Sequence, residues 1–301
     1  MGYPKVSFLT VNYKQTEVTM ALVKSLERIS YPNWECVVVD NACENKDLQE
    51  ALIGHDSFKF ISSKENLGFA GGNNLGLDLC TGDYIFLINN DTEVPEGFLE
   101  PLIDFAESQE NLGALSPKIR YFDEPEKIQF AGCTEMNKVT IRNSGIGDGE
   151  IDRGQYDKAY PIPFCHGAAL MVHRSVIEKV GLMRDDYFLY YEELDWCERI
   201  RQAGFQNWYF GNSYILHKES VSTGRNSPLK VYYLTRNRLL FARRNYPFPT
   251  RFINYLYYTF IALPKNLLTL FLKKEFGQAR SFWRGYYYNL THKASDSADR
   301  Y

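Results

Sequence analysis

The residues of this chain best suited to chemistry sit in a few short stretches. The apolar run Ile85 to Ile88 ends in Asn89, Asn90 and Asp91. Asp91 with Asn89 could ligate a hard divalent ion, which prefers oxygen donors and keeps several waters. Such an ion would neutralise a diphosphate, although "NNDT" also suits an ordinary turn. In "YYEELDWCER", Glu192, Glu193 and Asp195 crowd three carboxylates into four positions. One of them facing a crevice could act as a general base, its pKa raised by the aromatic approach "DYFLYY". Acids at a helix start also suit the macrodipole. His217 closes "YILH" as a metal ligand or a structural ring. Asp40 in "VVVDNA" could accept hydrogen bonds from a base or ribose, or cap a helix, and Asn12 has the same two readings. "GFAGGNN" could bring backbone close to a phosphate or form a tight turn. It is neither GxGxxG nor a P-loop, because the Lys-Ser/Thr is missing.

The elements that must position these residues are legible from periodicity. "KVSFLTVNY" predicts a strand ending in Asn12. "TEVTMALVKSLERIS" predicts a helix with Val18, Leu22 and Leu26 on one face and Thr16 as cap. "WECVVVDNA" is a second strand, ending in Asp40. A polar helix near 45–54, the strand "FKFISS", a glycine-rich turn feeding a helix, and the strand "DYIFLIN" follow. Unbroken apolar strands alternating with helices predict a parallel sheet covered on both faces. Ligands bind beyond the carboxyl ends of such strands, so Asn12, Asp40 and Asp91 should converge on one crevice. Residues 120–163 read as a loop-rich insertion with short strands. "AALMVHRSVIEKVG" reads as a strand and a helix. "YEELDWCERIRQAGF" reads as a helix with Leu194, Cys197 and Ile200 on one face, ended by Gly204. "NWYFGNSYILHK" reads as a strand pair, and from Leu229 the chain reads as helical, punctuated by Pro247, Pro249 and Pro264.

At 301 residues the chain can form one large α/β domain, or a domain plus an appendage. None of its six cysteines has CxxC spacing, so neither a zinc ribbon nor a thioredoxin-like site is supported. Scattered thiols fit a reducing cytoplasm. The opening "MGYPKVSFLTVNY" runs straight into a strand, so no signal peptide is expected. Charge is uneven. Residues 1–230 hold 22 Lys and Arg against 34 Asp and Glu, whereas residues 231–301 hold 12 against 3. A basic, aromatic tail points to an anionic partner. Residues 252–272 are long enough to span a membrane, but Asn254, Pro264, Lys265 and Asn266 interrupt them, and Pro264 is expected to break the helix. A basic amphipathic helix pair lying on a membrane surface is the expectation, with packing on the catalytic domain or a homodimer interface as alternatives. No nucleic-acid partner is expected.

Taken in order, "VSFLTVNY", "VVVDNA", "ENLGFAGGNN", "FLINNDTEVPEGFL", "GAALMVHRSVIEKVGLMRDDYFLYYEELDWCERIRQAGF" and "ILH" resemble the inverting glycosyltransferases of family 2. The likeness runs from Val6 to about His217, and a bacterial rhamnosyltransferase-like flavour extends through "YYLTRNRLLFARRNYP". The resemblance implies the GT-A fold, a Rossmann-like, mostly parallel sheet flanked by helices. It implies a catalytic domain over 1–228, with a nucleotide-sugar half (1–115) and an acceptor half (116–228), and a helical extension over 229–301. By the same resemblance Asp40 reads the nucleotide base, flanked by Val11 and Asn12. Asn66, Gly68 and Asn73 cover the ribose and diphosphate. Asn89-Asn90-Asp91 stands at the DxD motif, with Asp91 as metal ligand. Because the motif's first acid is Asn89 here, more of the load falls on Asp91 and His217. "EELD" stands at the family's "EDxD", which makes Glu193 the base, with Asp195 and Glu192 as runners-up. His166, Gly167 and Ala168 match the acceptor-side wall.

The implied cofactor is Mg²⁺ or Mn²⁺. The implied donor is dTDP-rhamnose or a UDP-sugar, and the acceptor a hydroxyl of a glycan or lipid-linked sugar in cell-surface polysaccharide synthesis. The place would be the cytoplasm, peripheral at the inner face of the cell membrane. Two other classes stay open. One is a non-catalytic nucleotide-sugar-binding module on the same fold. The other is a sugar-nucleotide pyrophosphorylase, which needs a glycine-rich basic loop after the first strand, where this chain has "NYKQTEV".

Overall fold

A computed structural model of the chain describes residues 2–43, 46–218 and 227–294. The apolar runs of the first half form four parallel strands, β1 (Val6–Asn12), β2 (Trp34–Asn41), β3 (Phe58–Ser63) and β4 (Tyr84–Ile88), in the order β3-β2-β1-β4. Helices α1 (Thr16–Leu26), α2 (Lys46–Leu52) and α3 (Gly68–Leu77) connect them. α1 starts at Thr16 itself, with Gln15 in the capping position and no side-chain cap. Register places Asn12 beside Asp40, so both polar strand ends finish at one level.

Beyond β4 the sheet turns mixed. β5 (Thr92–Glu93) and helix α4 (Leu99–Glu107) lead to β6 (Leu112–Tyr121). The insertion contributes only β7 (Ile128–Phe130) and β8 (Ala159–Pro161). β9 (Ala169–His173) then inserts antiparallel between β4 and β6, followed by α5 (Arg174–Val180). A strand buried on both faces reads as the same apolar run in either direction, so this reversal is invisible in the sequence. The expected strand pair near the end is one strand, β10 (Gln206–His217), parallel to β6 with a register shift between Phe210 and Tyr214. Gly211 sits in that irregularity, where a Cβ would lie 1.8 Å from the Tyr156 carbonyl oxygen.

Helix α6 (Glu192–Gln202) begins after Tyr191, which is left-handed (φ 75°), and ends before Gly204 (φ 93°). Its inward face carries Trp196, Cys197 and Ile200, all fully buried. From Pro228 the chain is helical: α7 (Pro228–Asn245), α8 (Phe248–Tyr257), α9 (Leu263–Leu272) and α10 (Phe276–Thr291). Leu240, Phe241 and Ala242 of α7 join the main core, while Leu239, Tyr258, Ala262 and Tyr286 form a small second core. Pro264 does not break the helix as expected. A π-helical segment, Tyr258–Ala262, joins α8 to α9, with the Leu263 N–H bonded to Tyr258 O. The wider turn precedes the proline, which has no N–H to give and would clash in a regular α turn. Among the described residues no helix is long and apolar enough to cross a membrane.

Candidate active site

Two clefts open beyond the carboxyl ends of β1, β2 and β4, and they share the wall made by Phe69, Asn89, Leu189 and Tyr190. The first has a volume of about 570 Å³. Of the residues expected there, Val11, Asn66, Gly68, Asn73, Asn90 and Asp91 line it, together with His217. Asn12 and Asp40 do not. Both are fully buried one layer below, where Asn12 Nδ2 donates to Asp40 Oδ1 at 2.9 Å and Asn12 Oδ1 accepts from Thr19 Oγ1 at 2.8 Å. The neighbouring Asn41 reaches the lining instead. Its Oδ1 accepts from Leu67 N at 2.8 Å, and its Nδ2 donates to Asn66 Oδ1 at 3.0 Å, which ties the strand end to the glycine-rich turn. Gly68 has to be glycine: φ is +71° and a Cβ would lie 2.2 Å from Phe188 O. That close approach lets Phe69 N donate to the same oxygen at 2.8 Å.

At the far end of this cleft His217 Nε2 lies 3.1 Å from Asp91 Oδ1. Both atoms are buried and neither has a hydrogen-bond partner. His217 Nδ1 is 2.8 Å from Gln129 Oε1. In the tautomer that donates Nδ1–H to Gln129, Nε2 presents its lone pair to the carboxylate oxygen. In that tautomer the two facing acceptors could share a divalent cation, whereas in the other the Nε2–H faces the carboxylate oxygen directly. Adjacent ligands of an octahedral ion at ~2.1 Å sit ~3 Å apart, so the pair fits a Mg²⁺ or Mn²⁺ site. No group of three or more His, Cys, Asp or Glu side chains stands ready for a metal among the described residues. The pair would therefore hold an ion that keeps waters and takes further oxygens from a ligand. Asn89 lines both clefts, and its N–H donates to Ala168 O at 3.0 Å. Asn90 is fixed by its Nδ2, which donates to Thr19 Oγ1 at 3.0 Å.

The second cleft, about 410 Å³, is lined by Glu192, Glu193, His166, Gly167 and Ala168. Glu192 and Glu193 each keep a buried Oε2 without a hydrogen-bond partner. Burial, then the neighbouring Glu193, pushes the Glu192 carboxyl well above its ordinary value, and burial raises Glu193 too. A Cβ at Gly167 would stand 3.6 Å from Glu193 Cγ, so the glycine leaves space beside this carboxyl. His166 Nδ1 accepts from Ala168 N at 3.1 Å. Burial and the nearby His217 push its imidazole down to about 3, so it stays neutral. Asp195 lines neither cleft. It is fully buried and bonded to Arg184, Tyr187, Arg199 and Asn245 at 2.9–3.1 Å.

The rim segment from Asp185 to Tyr191 carries Leu189 and Tyr190, which line both clefts, and its Phe188, Tyr190 and Tyr191 all have positive φ (64°, 67° and 75°). Such residues cost about 1–3 kcal/mol each and persist only where the surroundings hold them. Here α7 holds them. Asn237 Nδ2 lies 2.9, 2.8 and 2.7 Å from the carbonyl oxygens of Tyr187, Leu189 and Tyr190. Arg236 donates to Asp186 O and Tyr187 O at 2.6 and 2.8 Å, and both side chains are fully buried. Sequence reading missed this function of "TRN". The signal was present as Arg236 and Asn237 beside the apolar run Leu239, Leu240 and Phe241 of the same helix. It also missed Tyr13, Gln15, Phe188, Lys230 and Tyr233 in the first cleft.

The described family Glycosyl transferase family 2 matches residues 7–181. A low-salt glycan biosynthesis hexosyltransferase of Haloferax volcanii is 28% identical over 243 residues, covering 78% of this chain and 74% of its own. An N-acetylglucosaminyl-diphospho-decaprenol L-rhamnosyltransferase of Mycobacterium tuberculosis is 24% identical over 212 residues, covering 63% of this chain and 68% of its own. Among solved structures, a mannosyltransferase of Pyrobaculum calidifontis, in complex with GDP-Man and Mn²⁺, superposes with TM-score 0.58 at 14% identity, over 97% of this chain and 88% of that one. GalNAc-T7 with UDP, GalNAc and Mn²⁺ superposes with TM-score 0.65 at 14% identity over 80% of this chain, which spans about half (48%) of that protein. These two share the GT-A fold with this chain. With more than half of its length matched by the family, the chain belongs to glycosyl transferase family 2 and is a glycosyltransferase.

Proposed function

We propose that the protein moves a sugar from a nucleoside-diphosphate donor to an acceptor hydroxyl with inversion at the anomeric carbon. The observation that carries this reading is the shared wall: the Asp91–His217 pair lies in one cleft, the Glu192–Glu193 pair in the other, and Asn89 and Tyr190 border both. The first cleft would take the donor. Val11, Asn41 and Asn66 would meet the nucleoside, with Asp40 and Asn12 supporting them from below, and Gly68 and Asn73 would face the ribose and diphosphate. Asp91 and His217, with Asn89 beside them, would hold a divalent ion, whose chemistry is to neutralise the departing diphosphate. Glu193 would take the proton of the acceptor hydroxyl. The freed oxygen bonds to the anomeric carbon as the carbon–oxygen bond to the diphosphate breaks on the opposite face, and the nucleoside diphosphate leaves. Asp195 is fully engaged by its ion pairs, which leaves Glu193 and Glu192 as the carboxylates free to do this.

Support for the donor and acceptor classes comes from the relatives. Their names give a hexosyl and an L-rhamnosyl transferase, the latter with a diphospho-decaprenol-linked acceptor. A dTDP-rhamnose or UDP-sugar donor and a lipid-linked or glycan acceptor in surface-polysaccharide synthesis fit this chain. Residues 1–115 would serve mainly the donor, 116–228 the acceptor and 229–301 the membrane. Along α8, the π-helical segment and α9, Phe252, Leu256, Phe260, Leu268 and Leu272 are exposed at 51, 43, 71, 61 and 76%, at spacings of four or eight residues on a segment of net positive charge. Such a segment suits the interface of an anionic leaflet on the cytoplasmic side. Incubation with a panel of nucleotide sugars and Mn²⁺, followed for slow donor hydrolysis, tests the reading. A protein that hydrolyses none and binds no nucleoside diphosphate would overturn it.

A further inference from the structure

The first cleft is lined by Lys230 as well as Asp91, and these two, with His217, are its titratable charge-bearing side chains apart from the tyrosines. Lys230 belongs to α7, outside the segment matched by the family. Its ammonium has no carboxylate within ion-pair distance among the described residues. It lies 5.7 Å from the centroid of the Tyr190 ring, on the wall where the two clefts meet. Its backbone is fixed. Ser227 Oγ accepts from Lys230 N at 3.2 Å, and Pro228 occupies the first helical position. Tyr233, one turn on, stacks on Phe188 with ring centroids 5.1 Å apart, and Arg236 and Asn237 fasten the helix to the rim loop.

We propose that Lys230 is a donor-binding residue whose ammonium pairs with the diphosphate of the nucleotide sugar and stabilises it as it leaves. This rests on the reading of the first cleft as the donor site. The charge balance motivates it. A nucleotide sugar carries one negative charge on each phosphate, and its diphosphate gains another when the sugar departs. A divalent ion offsets two of these charges, but Asp91 returns one. Asn89, a neutral side chain lining the cleft with Asp91, adds no negative charge there. An ammonium on the rigid first turn of an 18-residue helix, next to that helix's own positive end, supplies a second cation. Because the charge grows during the reaction, Lys230 acts more strongly on the transition state than on the bound donor.

The test compares the parent protein with Lys230→Met and Lys230→Arg. Calorimetric titration of the parent with UDP, dTDP and GDP in Mn²⁺ first selects the nucleotide that binds. Lys230→Met should then bind that diphosphate about 10- to 100-fold more weakly, the loss expected for a hydrogen bond to a charged group, with an unchanged melting temperature. Lys230→Arg should recover most of the affinity, and in turnover Lys230→Met should lower kcat as well as raise the donor KM. If Lys230→Met does not fold, Lys230→Gln read in the same way decides. Diphosphate affinity within about threefold of the parent, below the loss of a charged hydrogen bond, overturns the proposal while leaving the donor site intact. Equal losses in Met and Arg variants with lowered melting temperatures also overturn it, in favour of a packing role. A parent that binds none of the three nucleotides removes the donor site and this inference together.

Discussion

His217 Nε2 and Asp91 Oδ1 face each other at 3.1 Å, both buried and both without a hydrogen bond. The pair joins the end of β10 to the turn after β4, and the two residues are 126 positions apart in sequence. Their meeting depends on β10 pairing antiparallel with β5, in register His217 to Thr92, which follows Asp91 directly. The metal reading stands on this contact.

Asp91→Ala should therefore cut the Mn²⁺-dependent part of nucleoside-diphosphate binding, leaving little difference between titrations with Mn²⁺ and with EDTA. His217→Ala should do the same to a smaller degree, since a neutral ligand contributes less charge. Calorimetry decides the point, and an Asp91→Ala protein that keeps the parent's Mn²⁺ dependence would sink the assignment.

Glu193→Gln should lower the transfer rate by ~10² to 10⁴ while leaving donor affinity nearly unchanged, because Gln keeps the shape but cannot take a proton. Asp195→Asn should fail differently. It leaves Arg199 and Arg184 beside a neutral amide, and breaking a buried ion pair costs about 3–5 kcal/mol, so the melting temperature should fall first. Single-turnover rates set beside thermal melts separate the two outcomes. A stable Asp195→Asn protein with no activity would point to Asp195 as the base.

Glu192 makes stability depend on pH in a defined direction. Its folded pKa is raised above the ordinary 4.5, so the folded state holds the proton more tightly than the unfolded state. The stability it contributes is full below about pH 4.5 and is lost as pH rises towards the folded value, at no more than ~1.4 kcal/mol per pH unit. Glu192→Gln should match the parent near pH 4 and melt higher at about pH 8. Parallel melting curves at all pH values would show that Glu192 is not a strained carboxyl. Raised in the same sense by burial, Glu193 should give a transfer rate that climbs with pH above the usual carboxylate range.

Phe252→Glu combined with Phe260→Glu should abolish co-flotation with vesicles containing anionic lipid, without changing the melting temperature, because both side chains are exposed. Salt should weaken the parent's flotation by screening the basic residues. A parent that stays with the soluble fraction but scatters light as a dimer would assign these side chains to a second copy.

Much of the fold was legible because buried strands and amphipathic helices write their period into the chain. The runs ending in Asn12, Asp40 and Asn89 announced strand ends at one edge. Less legible was anything decided by pairs far apart. Asp195 looks like Glu192 and Glu193 in sequence, and only its contacts with Arg184, Tyr187 and Asn245 set it apart. Asp40 was expected to line the cleft, yet its neighbour Asn41 does. The alternation of a β-strand sends neighbours to opposite sides, and nothing local says which side is the cleft. The direction of β9 was hidden for the same kind of reason, and the π segment before Pro264 is a local remedy that helix rules do not foresee.

The grip of α7 on the rim loop also bears on how such proteins can be recombined. Tyr187 and Asn237 are 50 positions apart, yet one amide group meets three of the loop's carbonyls. A chimera joined at residue 228 would set foreign side chains under that loop and loosen the three left-handed residues that lead into Glu192. Loop and helix have to travel together. Drift in either segment is constrained by the other, and a designer seeking a new acceptor range would do better to transplant both as one cassette than to exchange the tail alone.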